Sequence, residues 1–195
     1  MIDSELAVLI LAAGESKRLG KPKQLLPYQQ STLLEFSISC AKSVSTNILI
    51  VLGANAEAIK GKTNLSDDQI VINPNWREGI GSSIAYGIQT IIREFSSCKH
   101  ILILLTDQPK ISSQLLKKLV LSHRKDSGLI TACKYGETIG VPAVFDQSLF
   151  SQLAELKNDQ GAKPIIKAHI SNTSLVDFPE GKIDIDTESD LKFLG

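Results

Sequence analysis

The chain has 195 residues, 43% of them hydrophobic and 22% charged, with 21 basic residues against 21 acidic ones. This length and apolar content suffice for a substantial buried core, so one domain spanning residues 1–195 is expected. The zero net charge removes the electrostatic case for a nucleic-acid or membrane partner, although a local basic patch can still bind phosphate.

No apolar run reaches the ~18 residues of a membrane span. LAVLILAAG has the look of a signal-peptide core, but Asp3 and Glu5 stand ahead of it where basic residues belong, so a cytoplasmic protein is expected. Cys40, Cys98 and Cys133 are too widely spaced for a CxxC ligand pair or a disulfide framework and read as buried thiols.

The first predicted element is a strand over residues 6–11, and LAAGESKRLGKPKQLLP follows from residue 11 to residue 27. Five residues separate Gly14 from Gly20, and Pro22 follows Lys21, so neither GxxxxGK[ST] nor GxGxxG is met. The small residues Ala12, Ala13 and Gly14 let backbone N–H groups approach an anion, with Arg18 and Lys23 supplying positive charge. The same composition also suits a solvated basic turn.

Further strands are predicted over 48–52 and 70–72, and the second of these leads into NPNWREGIGSSIAYG at residues 73–87. Here Asn73, the backbone near Gly79 and Gly81, and the hydroxyls of Ser82 and Ser83 suit the donor and acceptor edge of a base, while Trp76 either stacks or covers the core. A helix over 82–95 puts Ile84, Ile88, Ile91, Ile92 and Phe95 on one face, with Ser82 or Ser83 as its N-cap.

A strand over 101–105 then delivers Asp107 just before Pro109. A carboxylate at that strand end suits Mg²⁺ held jointly with substrate phosphate, or caps a turn. A helix over 112–125 buries Leu115, Leu116, Leu119 and Val120, and a strand follows over 129–132. Apolar runs that do not alternate mark strands covered on both faces, and so a mostly parallel α/β sheet with helices on both sides. Beyond residue 135 the alternation loosens into an appended mixed region. In KIDIDT, Asp184 and Asp186 would share one face of a strand and call for a neutralising cation, while Thr187 and Asp190 suit a capping box. His100, His123 and His169 suggest no catalytic triad.

Taken in order, LAAGESKRLGKPKQLLP, NPNWREGIGSSIAYG, LLTDQP, GVPAVF, LKNDQGAKPII and DIDTESDL resemble the molybdenum cofactor cytidylyltransferase group of the nucleotidyltransferase superfamily. The resemblance implies a Rossmann-like fold of the nucleotide-diphospho-sugar transferase type. It also implies transfer of CMP from CTP to the terminal phosphate of molybdopterin, with Mg²⁺ as cofactor and pyrophosphate released. By position, it assigns Ala12, Ala13, Gly14 and Ser16 to nucleotide and phosphate contacts, and Arg18 and Lys23 to the triphosphate. Asn73, Gly79, Ser82 and Ser83 fall to the base and ribose, and Asp107 and Asp186 to the metal. Arg18, Lys23 and Asp107 are thereby the catalytic set, and Gly140, Pro142, Asp159, Gly161 and Lys163 match the acceptor side.

Departures from the pattern are Leu19 where Met is common and Lys163 where Arg is usual. Because Lys lacks the bidentate fork, the second leaves the acceptor open. LAAG rather than LAGG favours CTP over GTP. GTP, a sugar or isoprenoid phosphate acceptor, or a nucleotide-binding chaperone of a molybdoenzyme without turnover remain as alternatives, with a molybdoenzyme or its chaperone as a protein partner.

Overall fold

The computed structural model describes residues 2–126 and 128–194. The chain opens on β1 (Leu6–Ala12), in which all seven residues are buried. A 3-10 turn (Lys23–Leu25) and a two-stranded ribbon, β2 (Pro27–Tyr28) with β3 (Ser31–Thr32), lead into α1 (Leu33–Lys42). Thr32 starts that helix through a capping box with Glu35.

Next come β4 (Asn47–Leu52), α2 (Ala56–Lys60), β5 (Ile70–Ile72) and α3 (Ile80–Glu94). β6 (His100–Leu105), α4 (Ser113–Lys125), β7 (Ile130–Tyr135) and β8 (Thr138–Asp146) follow. The chain then runs through α5 (Phe150–Ala154), α6 (Lys163–Ala168) and β9 (Thr173–Asp177) to a 3-10 segment at Glu188–Phe193.

Seven strands form one sheet in the order β5-β4-β1-β6-β8-β7-β9. β8 is antiparallel to both of its neighbours, and the other pairings are parallel. Side chains alternate across β1, so Leu6, Val8, Ile10 and Ala12 join one apolar layer while Ala7, Leu9 and Leu11 join the other. α1 and α4 pack in the first layer, α3 and α5 in the second. This is the mostly parallel, doubly covered sheet expected from the uninterrupted apolar runs. Cys40, Cys98 and Cys133 are buried and free. Among the described residues, no helix is long and apolar enough to cross a membrane.

Three local expectations need correction. Gly79, not Ser82 or Ser83, is the N-cap of α3, and its φ of 106° is a conformation side chains avoid. Ile92 lies at the flank of the helix face and is 51% exposed. KIDIDT is not a strand; residues 183–186 are irregular, tied down by the Ile185 amide donating to the Asp107 carbonyl at 2.9 Å. The capping box of Thr187 and Asp190 is present.

His100, at the opposite end of β6 from Asp107, meets His123 edge to face, and the two are linked in one directional chain. Arg124 Nη1 reaches His100 Nε2 at 2.7 Å, His100 Nδ1 meets His123 Nε2 at 3.0 Å, and His123 Nδ1 meets Thr131 Oγ1 at 3.2 Å. An arginine can only donate, so the network assigns His100 as the Nδ1–H tautomer and His123 as the same, both neutral. Burial, then the neighbouring His100, pushes the His123 pKa down to about 4, although Asp146 and Asp126 pull the other way.

A base whose pKa falls on folding stabilises the fold fully above its unfolded value near 6.5, and that contribution fades as the pH drops toward 4. Acidification across this window should therefore cost about 3 kcal/mol. Because the Asp184 carboxyl, with its pKa raised to about 6, acts in the opposite direction over the same range, the test is the difference between two proteins: urea midpoints measured from pH 7 to 4 should fall more in the native protein than in His123→Gln, and identical profiles would contradict the neutral pair.

Candidate functional site

The strand order reverses beside β1: β4 and β5 lie to one side and β6 to the other. In an open α/β sheet, the crevice beyond the carboxyl ends of the strands flanking such a reversal is the place for a ligand. A cleft of about 560 Å³ opens there, lined by the loop after β1, by Lys23 and Gln24, by the turn before α3, and by Thr106 and Asp107 after β6. That volume falls within the range of small-molecule sites.

The loop leaving β1 is shaped by its own backbone. Ser16 sits at φ 58°, and its carbonyl accepts from the amides of Leu19 and Gly20, each at 3.0 Å. The Ser16 hydroxyl accepts from the Lys23 amide at 3.1 Å, which folds the loop back so that Lys23 re-enters the cleft. The amides of Gly14, Glu15 and Ser16 donate to no group among the described residues. Consecutive free N–H groups at a strand end form an anion-binding concavity.

Lys23 is the electrostatic centre. Its Nζ lies 3.0 Å from Asp107 Oδ2 and 2.7 Å from Asp186 Oδ1, and its side chain is only 12% exposed. Arg18 Nη2 holds the other Asp186 oxygen at 2.6 Å. Burial disfavours the Lys23 ammonium, but the charges and hydrogen bonds of Asp107 and Asp186 outweigh it and raise its pKa. Burial likewise opposes ionisation of Asp186, and Lys23 followed by Arg18 overcomes it and lowers the pKa. Asp184 is exposed as a residue, yet partial burial of its carboxyl, and then the charges of Asp107 and Asp186, push its pKa up to about 6. Asp107 and Asp186 thus share one ammonium, with Asp184 close enough to feel the charges of all three.

A divalent cation fits this donor set. Asp107 Oδ1 is buried without a hydrogen-bond partner among the described residues, and an orphaned carboxylate oxygen is costly unless a cation or donor arrives. Among the described residues, no group of three His, Cys, Asp or Glu side chains is arranged to hold a metal alone. A cation here would rest on Asp107 and Asp186 together with substrate oxygens, as Mg²⁺ commonly does.

The turn before α3 divides its residues sharply. Asn73 is buried, and its Nδ2 donates to Ser82 Oγ at 3.0 Å and Ser83 Oγ at 3.1 Å, while its Oδ1 accepts from the Asn75 amide at 2.9 Å. Ser82 spends its own hydrogen on the carbonyls of Asn75 and Gly79, both at 2.9 Å. Asn73 and Ser82 therefore build the turn. Ser83 lines the cleft, and its hydroxyl hydrogen meets no acceptor among the described residues. Trp76 does both things considered for it: it wedges against Gly53 and the apolar layer, and it lines the cleft under the Arg77 guanidinium, 4.4 Å from the ring centroid.

Of the acceptor-side residues, Asp159 lines the cleft, whereas Gly140, Pro142, Gly161 and Lys163 do not. Gly140 packs under Tyr135, Pro142 is buried in β8 after a cis peptide bond, and Lys163 is exposed at the start of α6. The loop carrying Asp159 is joined to the turn before α3: the Gly81 amide donates to the Asn158 carbonyl at 2.8 Å, and a Cβ on Gly81 would stand 2.6 Å from the Lys157 carbonyl oxygen. Glycine there answers to close packing between the two loops.

Sequence reasoning missed two buried glutamines. Gln24 Nε2 donates to the carbonyls of Ala12 at 2.8 Å and Gly14 at 3.1 Å. Gln108 Nε2 donates to the carbonyl of Gly181 at 3.1 Å, tying the Asp107 strand end to the segment that carries Asp184 and Asp186. Each sits beside a residue that drew attention by its charge, and a neutral amide leaves little trace in composition.

A family model described as the MobA-like NTP transferase domain matches residues 8–173. Nicotine blue oxidoreductase of Paenarthrobacter nicotinovorans is 34% identical over 191 residues, covering 92% of this chain and 91% of that protein. Molybdenum cofactor cytidylyltransferase of Escherichia coli K12 is 24% identical over 188 residues, covering 96% and 94%. Among solved structures, Rv0371c from Mycobacterium tuberculosis H37Rv superposes with a TM-score of 0.84 at 26% identity, over 100% of this chain and 98% of that one. Rv0371c has also been solved in complex with manganese, at a TM-score of 0.79 and 24% identity, over 97% of each chain.

Proposed function

This chain belongs to the MobA-like NTP transferase domain family, and from that membership we infer that it transfers a nucleoside monophosphate, CMP from CTP, to the terminal phosphate of a molybdopterin-type acceptor. The observation that carries this reading is the buried Lys23 ammonium between Asp107 and Asp186, facing a loop with free amides. An acceptor phosphate oxygen attacks the α-phosphorus of CTP in line. The bond from that phosphorus to the bridging oxygen breaks, and pyrophosphate leaves with the electron pair. Such a reaction asks the protein for positioning and charge neutralisation rather than a nucleophile.

In this reading the amides of residues 14–16, with Arg18 and Lys23, hold the triphosphate, and Ala12, Ala13, Gly14 and Ser16 shape the approach to it. Ser83 and the backbone at Gly79 read the base and ribose, with Asn73 and Ser82 holding them in place. Asp159 faces the acceptor, and Gly140, Pro142, Gly161 and Lys163 support that side. Asp107 and Asp186 would hold Mg²⁺ or Mn²⁺, which would supply positive charge to neutralise the phosphates. We place the activity in a single domain and in the cytoplasm, with a molybdoenzyme or its chaperone as recipient.

A screen of the four nucleoside triphosphates against phosphorylated acceptors, molybdopterin included, tests this by pyrophosphate release. CTP should exceed GTP by at least roughly tenfold in kcat/KM, since a wrong base leaves buried polar groups unpaired, and Ala13→Gly should reduce the preference. Equal use of CTP and GTP would remove the base-reading argument while leaving nucleotidyl transfer standing.

One observation favours a second reading. The relative at 34% identity is named as an oxidoreductase, and a dinucleotide would lay its pyrophosphate on the same loop. Oxidation of NADH or NADPH by the chain, without pyrophosphate release from any triphosphate, would favour it.

A further inference from the structure

The loop after β1 presents its amides to the cleft only if its carbonyls are held elsewhere, because each peptide unit that turns around replaces a positive pole with a negative one. All the carbonyls of residues 11–14 are tied from outside the loop. Thr106 Oγ1 donates to the Leu11 carbonyl at 3.3 Å and the Ala54 amide to that of Ala13 at 3.1 Å. The other two, Ala12 and Gly14, are held by one group, the Nε2 of Gln24, at 2.8 and 3.1 Å. Gln24 is 1% exposed, follows Lys23 directly, and lines the cleft.

Its orientation is unambiguous, since only the amide nitrogen can face two carbonyls. That choice leaves Gln24 Oε1 buried and unpartnered among the described residues. A side chain present only to fill space would be apolar, because an orphaned buried oxygen opposes folding. The amide is retained at a cost, and its visible effect is on two peptide units of the anion-binding loop. The short 3-10 turn at Lys23–Leu25 places Gln24 under the loop while Lys23 enters the cleft, so one turn delivers both the cation and the clamp.

We propose that Gln24 is a positioning residue for the triphosphate, clamping the Ala12 and Gly14 carbonyls so that the amides of residues 14–16 face the phosphates. This rests on the reading of the cleft as a nucleoside triphosphate site. Gln24 touches no phosphate itself, so its loss weakens anion binding without altering the charges that Lys23, Asp107 and Asp186 bring.

Calorimetric titration of the full chain with MgCTP and, separately, with inorganic pyrophosphate tests it in the native protein, Gln24→Met and Gln24→Glu. Methionine keeps the length without donors, and glutamate sets a carboxylate against two carbonyls. Gln24→Asn, which keeps an amide too short to span both carbonyls, carries the test if the others fail to fold. The expected result is at least tenfold weaker binding of both ligands in each variant. Amide exchange at residues 14–16 should be slowed by pyrophosphate in the native protein and not in the variants, a change that simple loss of stability would not produce. If the native protein binds both ligands and folded variants bind within twofold of it, the clamp is overturned and the site reading stands. If the native protein binds neither, the site reading fails and takes the clamp with it.

Discussion

Asp107→Asn is expected to lower nucleotidyl transfer by ~10²–10³-fold or more while leaving the fold in place. The carboxylate stands at the carboxyl end of β6, outside the strand's own packing, and its structural contribution runs through the backbone carbonyl that accepts from Ile185, which asparagine retains. What asparagine loses is the charge that pairs with Lys23 and the buried oxygen that has no partner in the free protein. Pyrophosphate release should collapse while the thermal midpoint shifts by only a few degrees, the scale of ~1 kcal/mol in a chain of this size. Near-native, cation-dependent activity in this variant would take Asp107 out of the mechanism.

Lys23→Ala should lower kcat by ~10²-fold and raise KM for the triphosphate far less, because its ammonium meets charge that builds as pyrophosphate departs. The structure adds a consequence in the absence of ligand. Without Lys23, Asp107 and Asp186 lose the cation they share, Asp186 keeps only Arg18, and the nearby Asp184 loses a compensating charge. The carboxylates then repel one another, by about 1 kcal/mol after solvent screening. Added Mg²⁺ should therefore raise the unfolding midpoint of Lys23→Ala more than that of the native protein. A rise in KM with unchanged kcat would reduce Lys23 to a ground-state anchor, and an equal Mg²⁺ response in both proteins would contradict the shared-cation geometry.

The two predictions hang on the same contact. In the free protein, Lys23 and Arg18 neutralise the carboxylates that a metal would otherwise satisfy. On the proposed reading, a nucleotide arriving with its cation would give Lys23 and Arg18 phosphate oxygens in exchange for carboxylates, so charges would change partners rather than be exposed.

The sheet was legible because its strands are buried on both faces and so leave runs without alternation, as in residues 6–12 and 101–105. Asp107 was legible for a related reason, as the first charge after such a run and just ahead of Pro109. Periodicity misled where a strand-like pattern had no neighbour to pair with. The spacing in KIDIDT suggested two carboxylates on one strand face, but residues 183–186 are held through the Asp107 carbonyl instead, and the chain brings both Asp184 and Asp186 to Lys23 without a strand.

Side-chain type alone also could not distinguish residues that present polar atoms from residues that consume them. Asn73 and Ser82 carry suitable groups and spend them on the turn, whereas the Ser83 hydroxyl hydrogen meets no acceptor among the described residues. Gly79 and Gly81 look like features of a nucleotide loop, yet each is crowded by the segment 157–160, a contact between residues nearly eighty apart in the chain. Gln24 and Gln108 act through backbone carbonyls that no spacing rule anticipates.

The most direct measurement follows the α-phosphate. With CTP labelled at that position, Mg²⁺ and a molybdopterin acceptor, label should appear on the acceptor with one pyrophosphate per labelled product, and both should be lost in Asp107→Asn. Label that stays in CTP while the nucleotide binds tightly, or label that is released as free CMP whether or not the acceptor is present, would contradict it.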